Sequence, residues 1–182
     1  SEKELTKTEY EKLLKAASDK KNERLNLIMQ TICSTGIRVS ELCYVTVSAV
    51  KQGQAQVKLK GKIRIVFFTN ELCKLLKKYI QEQGIEDGCV FRTRTGRPLD
   101  RHSIWKAMKS LCESAGVSPE KVFPHNLRHL FARTFYGIQK DIVRLADILG
   151  HSSVNTTRVY TIENGSVHRQ QMHRLGLVRM NV

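Results

Sequence analysis

A chain of 182 residues, 41% hydrophobic and 26% charged, is long enough for one well-buried core and too short for two ordinary domains, which excludes a disordered tail and a disulfide-stapled miniprotein. Its 31 Lys and Arg against 17 Asp and Glu leave a net charge of +14, a self-repelling surplus that a folded domain keeps most easily opposite a polyanion, so nucleic acid leads a membrane surface as the partner. The basic residues run from Lys3 to Arg179 without gathering in one tail, so the excess is read as a folded surface. Cys33, Cys43, Cys73, Cys89 and Cys112 form no CxxC pair, which points to reduced thiols in a cytoplasmic protein. No apolar run approaches the roughly 20 residues of a membrane span. The opening Ser-Glu-Lys-Glu-Leu-Thr has no signal-peptide core and reads as the cut end of a larger polypeptide.

Thr6 to Glu9 fits a capping box ahead of Tyr10, Leu13, Leu14 and Ala17 at helical spacing, predicting a first helix to about Ala17. Leu25, Ile28, Met29 and Ile32 predict a second over 22–35, which Gly36 is placed to end in a left-handed conformation. Arg38 opens a short helical segment over 38–44. The period then changes to alternation, with Val57 and Leu59 on one run and Ile63, Ile65 and Phe67 on the next, divided by Lys60-Gly61: a β-hairpin. Lys58, Lys60, Lys62 and Arg64 fall in alternate positions and read as its basic face. A helix over 70–83 follows, then a small strand pair around Val90-Phe91 and the turn 95–98. Asp100 caps a helix whose apolar residues are Ile104, Trp105, Met108 and Leu111. Another runs from His125 to about Tyr136, and a further one begins at Asp141 and ends at Leu149-Gly150. A last periodic piece covers 156–162 before a basic tail to Val182, with no repeat or low-complexity tract on the way.

Three short stretches and one tyrosine concentrate chemistry. Pro-His-Asn-Leu-Arg-His, 124–129, puts His125, Arg128 and His129 within one helical turn on a shared face. A metal site at His125 and His129 lacks both an intervening general-base Glu and a third carboxylate ligand, so no metal is expected. Gly-Ile-Arg-Val-Ser-Glu-Leu, 36–42, sets Arg38 just after a helix-ending glycine, with Glu41 one turn on to hold it. Leu-Gly-His, 149–151, places His151 just beyond a helix end, and Tyr160 follows nine residues later.

Taken together, the order Arg38, hairpin lysine, His125-x-x-Arg128, His151, Tyr160 resembles the tyrosine recombinase or phage-integrase family over almost the whole sequence. The resemblance implies a mainly helical fold with one small antiparallel β-sheet, forming over 1–182 the catalytic half of a clamp whose N-terminal core-binding domain is absent from this chain. It implies that Arg38, His125, Arg128 and His151 surround a scissile phosphate, that Lys60 is the hairpin lysine, that Glu41 supports Arg38 and His129 is a structural partner, and that Tyr160 is the nucleophile. Lys58, Lys62 and Arg64 are then expected to contact DNA. Asn126 stands where the family commonly has Asp, and the hairpin turn is shorter than usual, which leaves Lys60 and Lys62 both open as the residue that reaches the DNA.

This set suits phosphoryl transfer because a phosphodiester repels nucleophiles and has a basic leaving group, so a site must neutralise the one and protonate the other. Two guanidiniums answer the first need and a lysine the second, with no metal, cofactor or ATP. The expected partner is double-stranded DNA, bound by a homotetramer on paired sites assembled from free monomers, with room for an accessory protein. The tail 166–182 is expected to dock, either on a neighbouring subunit or on its own chain. A type IB topoisomerase-like enzyme and a non-catalytic DNA-binding module are the rival readings.

Overall fold

The computed structural model describes residues 3–151, 153–157 and 165–178. Its first helix, α1 (Lys7–Asp19), starts at the expected capping box: the Glu9 amide donates to Thr6 Oγ1, and the Thr6 amide donates to the Glu9 carboxylate. Asn22 caps α2 (Glu23–Thr35), which ends at Gly36 with φ 73°. A side chain there would be strained by that φ, and its Cβ would lie 2.6 Å from the Phe131 ring, so only glycine fits.

Helix α2 is the axis of the core. Seven of its thirteen residues are buried, and it packs against α1 and the helices introduced below. Thr31 and Thr35 are buried without cost because their hydroxyls donate to the Leu27 and Thr31 carbonyls one turn back. A 3₁₀ turn (Val39–Tyr44) and α3 (Val47–Gln52) lead into strands β1 (Gln54–Leu59) and β2 (Lys62–Phe67), a two-stranded antiparallel sheet. Helix α4 (Asn70–Gln83) returns to the core and rests on α2 and α3. The strand pair expected after it is reduced to an isolated bridge between Arg92 and Pro98.

Next come α5 (Arg101–Lys109), capped by Asp100, and α6 (Cys112–Ala115), then α7 (Pro124–Gln139) across α2 and α8 (Ile142–Leu149). Short α9 (Val154–Thr157) and α10 (Gly165–Arg174) complete the described elements. Fully buried Leu13, Ile28, Met29, Leu76, Met108 and Leu127 fill the main core, each worth about 1.5–3 kcal/mol by transfer from water. Leu145 and Leu149 of α8 form a smaller satellite cluster with Ala132, flanked by Phe131, Phe135 and Tyr136 of α7.

The hairpin corrects one expectation. Lys60 (φ 50°) and Gly61 (φ 77°) make a two-residue turn of the type I′ kind, setting Leu59 opposite Lys62, Lys58 opposite Ile63 and Val57 opposite Arg64. Facing residues share a side of the sheet, so alternation counted through an even turn changes side. Lys62 and Arg64 therefore lie with Val57 and Leu59 on the face turned to the body, while Lys58 lies on the opposite face with Ile63 and Phe67, which are 60% and 70% exposed. There is no single basic face.

Candidate active site

Arg38 is placed by backbone before side chain. Gly36 ends α2, Ile37 is buried, and Arg38 caps the 3₁₀ turn with extended backbone. Its amide donates to Glu41 Oε1 (2.9 Å) and its Nη1 to Oε2 (3.2 Å). The same carboxylate receives Arg64 Nη1 (2.5 Å) and Nη2 (2.8 Å) in a two-pronged pair. Burial alone pushes the Glu41 carboxyl up, but the Arg64 hydrogen bonds and the Arg38 amide outweigh it and hold its pKa below the usual carboxylate value. Arg64 also donates from Nε to the Ile148 carbonyl (3.2 Å). Expected among the DNA contacts, its guanidinium is instead committed inward, because the register turns it to the body beside a buried acid.

Arg128 lies deeper than its helical pattern suggested. It is 1% exposed, and its guanidinium donates to the Gly36 carbonyl (2.6 Å) and the Leu149 carbonyl (2.5 Å), with Nη2 3.5 Å from His151 Nε2. Both carbonyls end helices, where the backbone dipole favours a cation. One buried arginine thus ties the end of α2 to the end of α8.

His125 is exposed, with the His129 ring edge-on at 4.3 Å behind it. Partial burial, then Arg128 and Arg38, lower the His125 pKa. His129, half-buried, is pushed down to about 4 by burial first and then by His125 and Arg133. His151 follows Gly150 at the end of α8, and its Nδ1 is 2.7 Å from the hydroxyl of fully buried Thr157. Burial, then Arg128 and Arg38, lower its pKa to about 4. The three imidazoles are neutral at pH 7, ready to accept a proton or donate one N–H.

These pKa values carry a stability consequence. In the unfolded chain His129 and His151 titrate at the ordinary 6.5; folded, at about 4. Between those limits the unfolded state binds more protons, so this stabilisation is fully present above 6.5 and is lost as pH falls towards 4. Thermal melts should show Tm falling steadily from pH 7 to 4.5. A constant or rising Tm over that range would contradict the burial of both rings.

Arg38 forms a ridge between two clefts. One, of about 470 Å³, is lined by Arg38, His125 and Arg128 together with His102, Trp105 and Phe123. The other, of about 520 Å³, is lined by Arg38, Lys60, Lys62, Arg64 and His151, with Asp147 in its wall. The structure thus brings together Arg38, Lys60, Lys62, His125, Arg128 and His151, and leaves Lys58 outside. Tyr160 lies outside the described residues. Among the described residues no group of three His, Cys, Asp or Glu side chains is disposed to hold a metal ion, and no helix is long and apolar enough to cross a membrane.

Sequence reasoning missed the aromatic part of the first cleft's lining. Its spacing puts Trp105 in an apolar stripe, yet it is 42% exposed. The overlooked signal was local: His102 and Lys109, three residues before and four after, share its helix face, and both are polar. Thr157 was also missed as the partner of His151.

Comparison with known proteins matches residues 3–166 to the model of the phage integrase family. The chain is 35% identical over 167 residues to the tyrosine recombinase XerH of Campylobacter jejuni, covering 86% of this chain and 47% of that protein. To the tyrosine recombinase XerD of Proteus mirabilis it is 34% identical over 188 residues, covering 96% and 60%. It spans about half to three fifths of the length of these two relatives. Among solved structures, the XerA recombinase matches with TM-score 0.76 and 31% identity over 97% of this chain and 64% of its own. The Tn1549 transposon integrase in complex with transposon right end DNA reaches TM-score 0.82 at 19% identity, over 95% and 66%, a likeness of fold.

Proposed function

Because this chain belongs to the phage integrase family, we propose that it is the catalytic domain of a tyrosine recombinase, which cuts and rejoins double-stranded DNA at specific sites through a 3′-phosphotyrosyl link to Tyr160. The observation that carries this reading is that two clefts meet at Arg38, one lined also by His125 and Arg128 and the other by His151 and a hairpin lysine. The reaction needs neither metal nor ATP and serves to integrate or excise a mobile element in the cytoplasm. Its test is a protein–DNA adduct on a cognate duplex that survives denaturation and forms equally well in EDTA. An adduct that requires a divalent metal would count against the scheme.

In the proposed mechanism Arg38 and Arg128 face the non-bridging oxygens as charge builds in the five-coordinate state, and His151 adds a donor. Glu41 keeps Arg38 aimed, itself held by Arg64. The Tyr160 oxygen attacks phosphorus while its proton passes to neutral His125, the bond from phosphorus to the 5′ oxygen breaks, and that oxygen takes a proton from Lys60. Attack by a second 5′-hydroxyl reverses each step, so the phosphodiester is restored without an energy source.

Lys60 and Lys62 both line the second cleft, but Lys60 occupies the left-handed turn position where Asn or Gly is favoured, at a local cost of about 1 kcal/mol. Lys60→Ala is expected to slow cleavage by roughly 10²–10⁴-fold. A substrate with sulfur in place of the bridging 5′ oxygen, which leaves without protonation, should restore it. Lys60→Asn should be as inactive while raising Tm. Rescue of Lys62→Ala instead, with Lys60→Ala unrescued, would move the acid two residues along.

Lys58 and Lys62 are assigned to flanking DNA contacts. The assembly is a homotetramer on paired sites, built from monomers, with an accessory protein able to join it. The tail 166–182, whose described part exposes Met172, Leu175, Leu177 and Val178, docks on a neighbouring subunit. Removing residues 175–182 should lower synapsis and leave single-site adduct formation intact. Undiminished synapsis would end the docking idea.

A further inference from the structure

Six polar side chains are buried among the described residues, and five of them hold backbone or arginines in place. Thr31 and Thr35 donate to carbonyls of their own helix, Asn126 to the Lys3 and Lys121 carbonyls, and Arg128 to those of Gly36 and Leu149, while Glu41 receives Arg38 and Arg64. The sixth, fully buried Thr157 of α9, is different: its Oγ1 lies 2.7 Å from Nδ1 of His151. Which of the two atoms donates is decided at the other side of the ring, where Nε2 lies 3.5 Å from Arg128 Nη2. A guanidinium offers hydrogens and no lone pair, so the nitrogen facing it is the bare one. His151 is neutral at pH 7, with one ring hydrogen, which then sits on Nδ1 and is accepted by the Thr157 oxygen. The free site therefore holds His151 in the tautomer that cannot donate from Nε2.

The mechanism proposed above, on which this step rests, needs the opposite. A phosphate oxygen beside Arg128 accepts hydrogens and offers none, so Nε2 has to carry one. A second proton on the ring is one route, but burial and then Arg128, Arg38 and Arg64 hold that proton off. A carboxylate at Nδ1 would favour an imidazolium; the hydroxyl found there carries no charge to do so. It can, however, donate as well as accept. We infer that Thr157 is a positioning residue for His151: its oxygen accepts the Nδ1 hydrogen in the free site, and its own hydrogen turns to Nδ1 when a phosphate enters, so that an Nε2–H faces the phosphate. The ring takes up one proton at Nε2 from water and gives up the one at Nδ1, leaving its charge unchanged, and Thr157 keeps its hydrogen throughout.

Nitrogen NMR of the ring reads the tautomer directly, with the His151 signals identified by their loss in His151→Gln. The free protein should show hydrogen on Nδ1 alone. The Tyr160→Phe variant bound to a cognate duplex, whose phosphate stays uncut, should show it on Nε2 alone. Hydrogen on both nitrogens in that complex, or on the same nitrogen before and after binding, would overturn the proposal. On a cleavable duplex Thr157→Val should lower adduct formation roughly tenfold, the effect of one lost hydrogen bond to the ring, and Thr157→Ser should recover most of it. In a His151→Ala background Thr157→Val should cost nothing further, because it acts only through the imidazole. A residue that merely packs α9, or leads the chain to Tyr160, would cost the same in both backgrounds, and that result also overturns the proposal. Should Thr157→Val fail to fold, the spectra of the wild-type and Tyr160→Phe proteins decide alone. A wild type that forms no adduct ends the recombinase reading and this role with it; normal adduct formation with an unchanged tautomer ends this role alone.

Discussion

Replacing Tyr160 by phenylalanine is expected to leave duplex affinity within about twofold while lowering covalent adduct formation by at least roughly 10³-fold. One oxygen is removed, and in the proposed mechanism it is the atom that forms the bond to phosphorus. Affinity for DNA is expected to come instead from many phosphate contacts spread over a chain of net charge +14, so it should fall steeply with salt and be indifferent to a single hydroxyl. The tyrosine follows Thr157 by three residues, and Thr157 is itself fixed to His151 by a 2.7 Å hydrogen bond. A denaturing gel with labelled DNA reads the outcome. Adduct at the wild-type level in the variant would remove Tyr160 from the mechanism and leave a DNA-binding module or another nucleophile.

Arg128→Ala is expected to fail twice, and the two failures can be measured apart. Its guanidinium satisfies two carbonyls in the interior, so truncation should lower unfolding stability by about 2–4 kcal/mol. Cleavage measured well below the melting temperature should also fall by roughly 10²–10³-fold, because charge on the non-bridging oxygens loses its buried partner. The sulfur substrate that restores Lys60→Ala should not restore this variant, since its defect is not in the leaving group. Arg128→Lys keeps a charge but cannot fork to both carbonyls, so it should recover little. A variant at position 128 with unchanged Tm and cleavage within tenfold of wild type would refute both roles.

What the sequence disclosed was decided by neighbours along the chain. Thr6 with Glu9, Asn22 with Gly36, Asp100, and Asp141 with Gly150 mark helix ends through bonds spanning a few residues, and the helices begin or stop there. The family motifs put Arg38, His125, Arg128 and His151 on one list, and the fold puts them in two clefts that meet at Arg38. What stayed hidden depends on distant partners. Arg64 reads as a surface cation until Glu41, 23 positions away, and the Ile148 carbonyl, 84 away, are brought to it. Arg128 reads as part of an open basic face until α2 and α8 close over it. The side of the hairpin on which Lys58 lies turns on whether its turn holds an even number of residues, which a count of alternation does not register.

The satellite cluster beneath α8 gives the site a seam. Arg38 and His125 belong to elements anchored in the large core, whereas His151 is carried by a helix held through Leu145, Leu149 and the two arginine bonds to the Ile148 and Leu149 carbonyls. A small apolar cluster opens at lower free energy than a large one, so α8 can part from α7 while the rest of the molecule stays folded. In the proposed mechanism catalytic competence is then a population, the fraction of molecules in which the seam is shut. A phosphate held by both Arg38 and His151 should favour the shut form and by mass action draw the ensemble towards it.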